Sequence, residues 1–205
     1  MDGRDYEEAV TVLKHEHGIE SICQNRKERT GQNSGGGVAI LFRKSKINLK
    51  PFVFKKNNCD IVIAEGRFSD SRRSTYIIGV YIPPCLRKQQ SDRYISTLRD
   101  AITKIKTKDR NPLIIVAGDL NKYNIGPVFQ DFLDFSEVPS PPTRNGERLD
   151  KIFMNDFVTN VECFSSLPIE NEAGVSSDHC VLNCSVTLTL NHDFEWISYK
   201  TQDMT

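Results

Sequence analysis

The sequence predicts a layered domain of the α/β (α+β) class. Short, β-branched apolar runs recur between residues 38 and 190, and two other stretches repeat apolar residues at helical spacing. The second of these stretches leads directly into the apolar run at 113–118. Helices interleaved with such strands pack as layers around a common core. With 205 residues, a single domain is the simplest division, and a chain of this size buries roughly 70% of the surface that its unfolded form exposes.

The first element expected is a helix over residues 5–17. Tyr6, Ala9, Val10, Leu13 and His17 fall on one face, Asp5 can cap the start and Gly18 can end it. A Gly-rich turn, "NSGGG", then feeds a strand from Val38 to Phe42, and further strands are expected at "FVF" (52–54), "DIVIAEGRF" (60–68) and "TYIIGVYIPP" (75–84). A second helix over 91–108 takes Ser91 as its N-cap and buries Tyr94, Leu98, Ala101, Ile102 and Ile105. The strand 113–118 follows, then short strands near "DKIFMND" and "VECFSSL", and a longer one at 180–190. There is no internal repeat and no low-complexity tract.

Composition excludes several function classes. Lys plus Arg and Asp plus Glu number 27 each, so the molecule as a whole exerts no strong field on nucleic acid or membrane and any attraction to phosphate must be local. No stretch approaches the about 18–20 apolar residues of a membrane span, and "MDGRDYEEAV" lacks a signal peptide's basic and hydrophobic regions. An intracellular chain without membrane contact is expected. The six cysteines, Cys23, Cys59, Cys85, Cys163, Cys180 and Cys184, form no CxxC or Cys/His zinc pattern and are expected to be reduced, structural thiols.

Most polar motifs have a plain structural explanation. "NSGGGVAI" lacks the Lys-Ser/Thr of a P-loop and leads into a strand, so it reads as a turn. In "HEH" (15–17) the two histidines sit at alternate helix positions and do not face each other. The basic segments "NRKER" (25–29) and "RKSK" (43–46) suit DNA phosphates and solvated loops equally well.

Four other segments carry more chemistry. "IIVAGDLN" ends a buried strand in Asp119 and Asn121, which on an extended chain face one pocket across a single intervening residue. "VYIPP" ends another strand at Tyr81, where α/β proteins place ligand-touching residues. "SPPTRNGERLDKIFMN" offers Thr143, Arg144 and Asp150, and "VSSDHCVL" sets Ser177, Asp178 and His179 directly before a strand. Asp150 could hold the His179 imidazole in one tautomer, as acid/base chemistry on a phosphate requires.

Taken in order, "GGGVAILFR", "IIGVYIPP", "IIVAGDLN", "PPTRNGERLDKIF" and "SSDHCVL" resemble the endonuclease/exonuclease/phosphatase family of metal-dependent phosphodiesterases. The "YIPP" and "PTR…LD" forms are most similar to the endonuclease domain of non-LTR retrotransposon polyproteins. The resemblance implies a DNase I-like, layered β-sandwich flanked by helices over residues 1–190, with 191–205 similar to a linker toward a reverse transcriptase. It implies catalytic roles for Tyr81, Asp119, Asn121, Asp150 and His179, a metal-site role for Asp178, and supporting or DNA-contacting roles for Thr143 and Ser177. Mg²⁺, or Mn²⁺ in its place, is the implied cofactor and DNA the implied substrate, which would place an active protein in the nucleus. Family members also carry an Asn on a first strand and a metal-binding Glu at the end of a second. The early glutamates here, Glu7, Glu8 and Glu16, lie on the expected helix, so the first strands are expected to be missing. Two alternatives to the nuclease therefore stand: a catalytically impaired remnant or interaction domain, and a phosphatase of small or lipid phosphoesters.

Overall fold

The computed structural model of the protein describes residues 11–25, 37–55, 58–69, 71–155, 158–166 and 178–188. Residues 11–17 are helical (α1), while the expected start of that helix, residues 33–36 of the "NSGGG" turn, Ser177 and the tail 191–205 lie outside the described residues. The strands that follow are β1 (Ile19–Asn25), β2 (Gly37–Arg43), β3 (Ile47–Pro51), β4 (Asp60–Phe68) and β5 (Thr75–Tyr81). Then come helix α2 (Lys88–Lys108), β6 (Leu113–Asp119), the single-turn α3 (Gly126–Phe129), β7 (Ser136–Glu137), β8 (Asp150–Met154), β9 (Val158–Ser166) and β10 (Val181–Leu188).

Six strands form one mixed sheet in the order β3-β4-β5-β6-β8-β7. Only β5 and β6 pair in parallel, and α2 makes the crossover between them that parallel neighbours require. Tyr94, Leu98, Ala101, Ile102 and Ile105 of α2 are buried as the helical spacing predicts. They meet Ile61 and Ile63 of β4, Ile78 and Val80 of β5, and Ile114 and Val116 of β6. Each such aliphatic side chain contributes about 1.5–3 kcal/mol by leaving water.

The opposite face of this sheet carries a second layer. The β1-β2 hairpin closes over it, packing Ile22, Ile40 and Phe42 against Val62 and Ala64 of β4. The approach is close enough that a Cβ on Gly79 of β5 would lie 2.9 Å from Val38 Cγ1. The β9-β10 pair covers the same face farther along, with Cys184 against Leu113, Ile115, Ile152 and Met154. The layered architecture is therefore the one expected, built as a mixed sheet between helices on one side and hairpins on the other.

Three expectations change. "FVF" is not a strand: the chain leaves β3 at Pro51, Phe52 turns inward and Val53 stands 86% exposed. The strand instead is Ile47–Pro51, whose buried residues Ile47 and Leu49 alternate with polar ones that mask it in sequence. Helix α2 begins at Lys88, three residues before Ser91, because the Gln90 side chain accepts the Arg87 backbone N–H and the Ser91 hydroxyl turns back to the Lys88 carbonyl. The cysteines are not all reduced: Cys184 is disulfide-bonded. The β9-β10 register sets Cys184 directly opposite Cys163, a cross-strand relationship that a separation of 21 positions does not announce. Cys59 is a buried thiol that donates to Thr97, and Cys23, Cys85 and Cys180 carry free thiols.

No helix among the described residues is long and apolar enough to cross a membrane.

Candidate active site

The ends of three adjacent strands lie level. Tyr81 of β5 pairs with Asp119 of β6, and Asp119 pairs with Asp150 of β8, so one row crosses the sheet at a single end. Residues opposite one another in neighbouring strands point to the same face. Alternation along each strand assigns that face: Ile115 of β6 and Ile152 and Met154 of β8 lie against Cys184 of β10, in step with Asp119 and Asp150. The row thus faces the hairpin layer.

Backbone bonds carry the pairing past the strand ends and hold the row level. Ile82 N–H donates to the Asp119 carbonyl at 2.9 Å, and Leu120 N–H donates to the Leu149 carbonyl at 2.9 Å. Gly118 makes the approach possible. Its φ is 151°, and a Cβ there would sit 1.8 Å from the Val80 carbonyl oxygen.

His179 enters from the lead-in to β10. Its Nδ1 lies 2.8 Å from Asp150 Oδ2, with both side chains partly buried. An ionised carboxylate only accepts, so Nδ1 donates and Nε2 is the acceptor nitrogen of the neutral ring. Thr143 locks this alignment from below. It is fully buried, its hydroxyl accepts the Asp150 backbone N–H at 3.2 Å, and its carbonyl accepts the Cys180 N–H at 2.7 Å. One residue thereby ties the β8 end to the chain that carries His179.

Asp119, Asp150 and His179 form the cluster: one ligand atom from each lies within 4.8 Å of the others. Burial pushes the Asp119 carboxyl above its ordinary pKa. The Asn121 N–H bond opposes that rise, Asp150's charge adds to it, and His179 and Arg144 oppose it. Two carboxylates and an imidazole converging in a half-buried setting, one of them already strained toward protonation, suit a divalent cation that keeps several waters.

Asn121 takes a different geometry from the one expected. It adopts φ 49°, so the chain is not extended there. Its backbone N–H bonds back to Asp119 Oδ1 at 2.9 Å, and its Nδ2 donates to the Ile82 carbonyl at 2.8 Å. The buried amide thus ties β6 to the end of β5. Asp178 stands beside the cluster rather than in it, 68% exposed, with its Oδ2 2.5 Å from Arg144 Nη2. Arg144 is the basic side chain that sequence reasoning left within a turn; its signal is the Asn-Gly pair after it, which bends the chain back and sets the arginine beside Thr143. Tyr81 is half-buried in the row.

A groove of about 510 Å³ lies at the far end of β4 and β5, lined by Lys50, Glu65, Tyr76 and Lys108 among others. Glu65 pairs there with both lysines, and Tyr76 donates to Asp109.

The sequence profile of the Endonuclease/Exonuclease/phosphatase family matches residues 3–179. Among curated proteins, no sequence matches the chain. Among solved structures, the fold is similar to an endonuclease/exonuclease/phosphatase family protein from Bacteroides thetaiotaomicron, with a TM-score of 0.64 at 13% identity over 91% of this chain and 82% of that one. It is also similar to D. rerio TDP2 complexed with a single-strand DNA product, with a TM-score of 0.61 at 17% identity over 90% and 82% of the two chains. A mannosyl-6-phosphatase from Bacteroides thetaiotaomicron gives a TM-score of 0.61 at 15% identity over 88% and 82%.

Proposed function

The chain belongs to the endonuclease/exonuclease/phosphatase family, and from that premise we propose that it is a metal-dependent phosphodiesterase that nicks DNA, of the kind found in non-LTR retrotransposons. The observation that carries the reading is the convergence of Asp119, Asp150 and His179, with the imidazole held by Asp150. The "YIPP" and "PTR…LD" forms support the retrotransposon branch. The fold alone does not choose the substrate, since it hosts a DNA-bound protein and a sugar phosphatase alike.

Hydrolysis adds a water oxygen to phosphorus and breaks the P–O bond on the opposite side. Asp119, whose carboxyl is pushed toward protonation, orients the attacking water and takes up its proton. His179, fixed by Asp150, would in its imidazolium form donate from Nε2 to a phosphate oxygen and so stabilise the charge that grows as the bond breaks. Tyr81, in the same row, supplies a hydroxyl to a phosphate oxygen. Asp150, with Asp178 near by, would supply carboxylates to a divalent cation, whose chemistry there would be to neutralise phosphate charge.

A second reading, a scaffold without turnover, is favoured by one observation: Asp178 is engaged by Arg144.

Supercoiled plasmid incubated with the protein and Mg²⁺ or Mn²⁺ tests both readings. Nicked circles that vanish with chelator and in Asp119→Ala and His179→Ala are expected. Phosphate released from small esters without nicking would assign the site to a phosphatase, and no turnover on either substrate would leave the scaffold.

A further inference from the structure

The geometry points to Arg144 as a substrate-binding residue that grips a phosphate flanking the scissile one. The inference rests on the phosphodiesterase reading of the neighbouring site and adds a residue which that reading does not use.

Five observations carry it. Arg144 sits at the start of a tight turn, with Asn145 at φ 48° and Gly146 at φ 80°. Its backbone pairs with Glu147 in both directions, N–H to carbonyl at 3.2 Å and carbonyl to N–H at 2.7 Å, so the position is fixed. It follows Thr143, the buried residue that aligns Asp150 with the His179 segment, and cannot move without the site moving. Its guanidinium lies close enough to influence Asp119 electrostatically. Finally, its ion-pair partner is Asp178, outside the Asp119–Asp150–His179 cluster, which puts the cation beside the scissile position rather than on it.

Magnitude argues against a purely structural role. The Arg144 side chain is 38% exposed and that of Asp178 is 68% exposed, and ion pairs at such exposure stabilise a fold by about 0–1 kcal/mol. A pair of that strength is readily exchanged. A phosphate diester presents two non-bridging oxygens to a planar, forked donor set, the geometry that guanidinium recognises best. Asp178 thus holds the arginine in place until a phosphate takes over its donors.

Equilibrium binding of the full chain to a labelled DNA duplex in chelator, where cleavage is suppressed, tests this, with inorganic phosphate as a second probe. Arg144→Gln is expected to weaken duplex binding about tenfold and to reduce the slope of log K against log salt by about 0.9, one phosphate contact. Arg144→Lys should keep the salt slope and lose less affinity, because it keeps the charge without the fork. Arg148→Gln, which removes a neighbouring arginine paired with Glu137, should stay within about twofold of wild type. In turnover the Arg144→Gln loss should fall in KM rather than kcat, the mark of a contact made equally in ground and transition states. Wild-type affinity and slope in Arg144→Gln would overturn the inference and leave the nuclease reading intact. A wild-type chain that ignores DNA but binds inorganic phosphate through Arg144 would overturn DNA as substrate and keep the residue's role. Binding of neither probe would overturn both.

Discussion

His179 Nδ1 and Asp150 Oδ2 lie 2.8 Å apart although they belong to different layers, one on the lead-in to β10 and the other at the start of β8. The bond fixes which imidazole nitrogen carries the proton in the neutral ring. His179→Ala is therefore expected to lower kcat for plasmid nicking by about 10²–10⁴-fold, and Asp150→Asn by a comparable factor because the amide favours the wrong tautomer. Circular dichroism should show both variants folded; a kcat within threefold of wild type in either would remove the pair from the mechanism.

Asp119 should trade stability against activity. Its carboxyl has a raised pKa because burial opposes its charge. The stability associated with its neutral form is fully present below the ordinary aspartate pKa of 3.8 and is lost as pH rises through the folded value. At pH 7 the folded chain carries the full penalty. Asp119→Asn, which keeps an oxygen to accept the Asn121 N–H, should abolish turnover yet raise the urea midpoint at pH 7. Urea titrations at several pH values read this directly, and the gain should shrink as pH falls toward 3.8. A destabilised Asn variant at pH 7 would contradict it.

Gly118→Ala should damage fold and site together. The added methyl would meet the Val80 carbonyl oxygen at 1.8 Å, against backbone that cannot yield without parting β5 from β6. A loss of about 3 kcal/mol or more is expected, seen as a lower urea midpoint or insoluble expression. Gly146→Ala is a useful contrast, since its Cβ would meet nothing within 4 Å and only its φ of 80° opposes substitution.

Tyr76, like the buried Tyr94, contributes to the alkaline limit. Burial, helped by the charge of Asp109, to which its hydroxyl donates at 3.2 Å, pushes its pKa up to about 12. Because the unfolded tyrosine ionises near 10, the stability owed to the neutral hydroxyl is intact below about pH 10 and is lost as pH climbs toward 12. Tyr76→Phe should be less stable at pH 8 by about 1 kcal/mol, for the lost hydrogen bond, and should show a shallower decline above pH 10 by up to about one proton. An unchanged slope would place the alkaline transition on another group.

Much of this was legible from sequence because it followed backbone logic. Tyr81, Asp119 and Asp150 each end or begin an apolar run, and runs of similar length paired side by side bring their ends level. Five of the six buried positions of α2 followed from helical spacing alone, the sixth being Thr97. What stayed hidden depends on contacts with no local signature. β1 and β3 are short and half-polar, so they become strands only through their partners. Asn121 reads as an extended neighbour of Asp119 until the Ile82 carbonyl draws its amide inward. Arg144 gains meaning only once Asp178, 34 residues later, is folded beside it.

Because the six-stranded sheet supplies Tyr81, Asp119 and Asp150 while His179 arrives on the chain leading to the two-stranded one, turnover depends on the docking of one layer onto another. The bonds across that seam, His179 to Asp150 and Cys180 to Thr143, sit at its rim, whereas the β5-β6 and β6-β8 ladders are continuous. Hydrolysis is thus a gauge of whether the layers are seated. In rising denaturant it should disappear while the β4-β5-β6 core still resists hydrogen exchange, a silent intermediate visible first as lost chemistry.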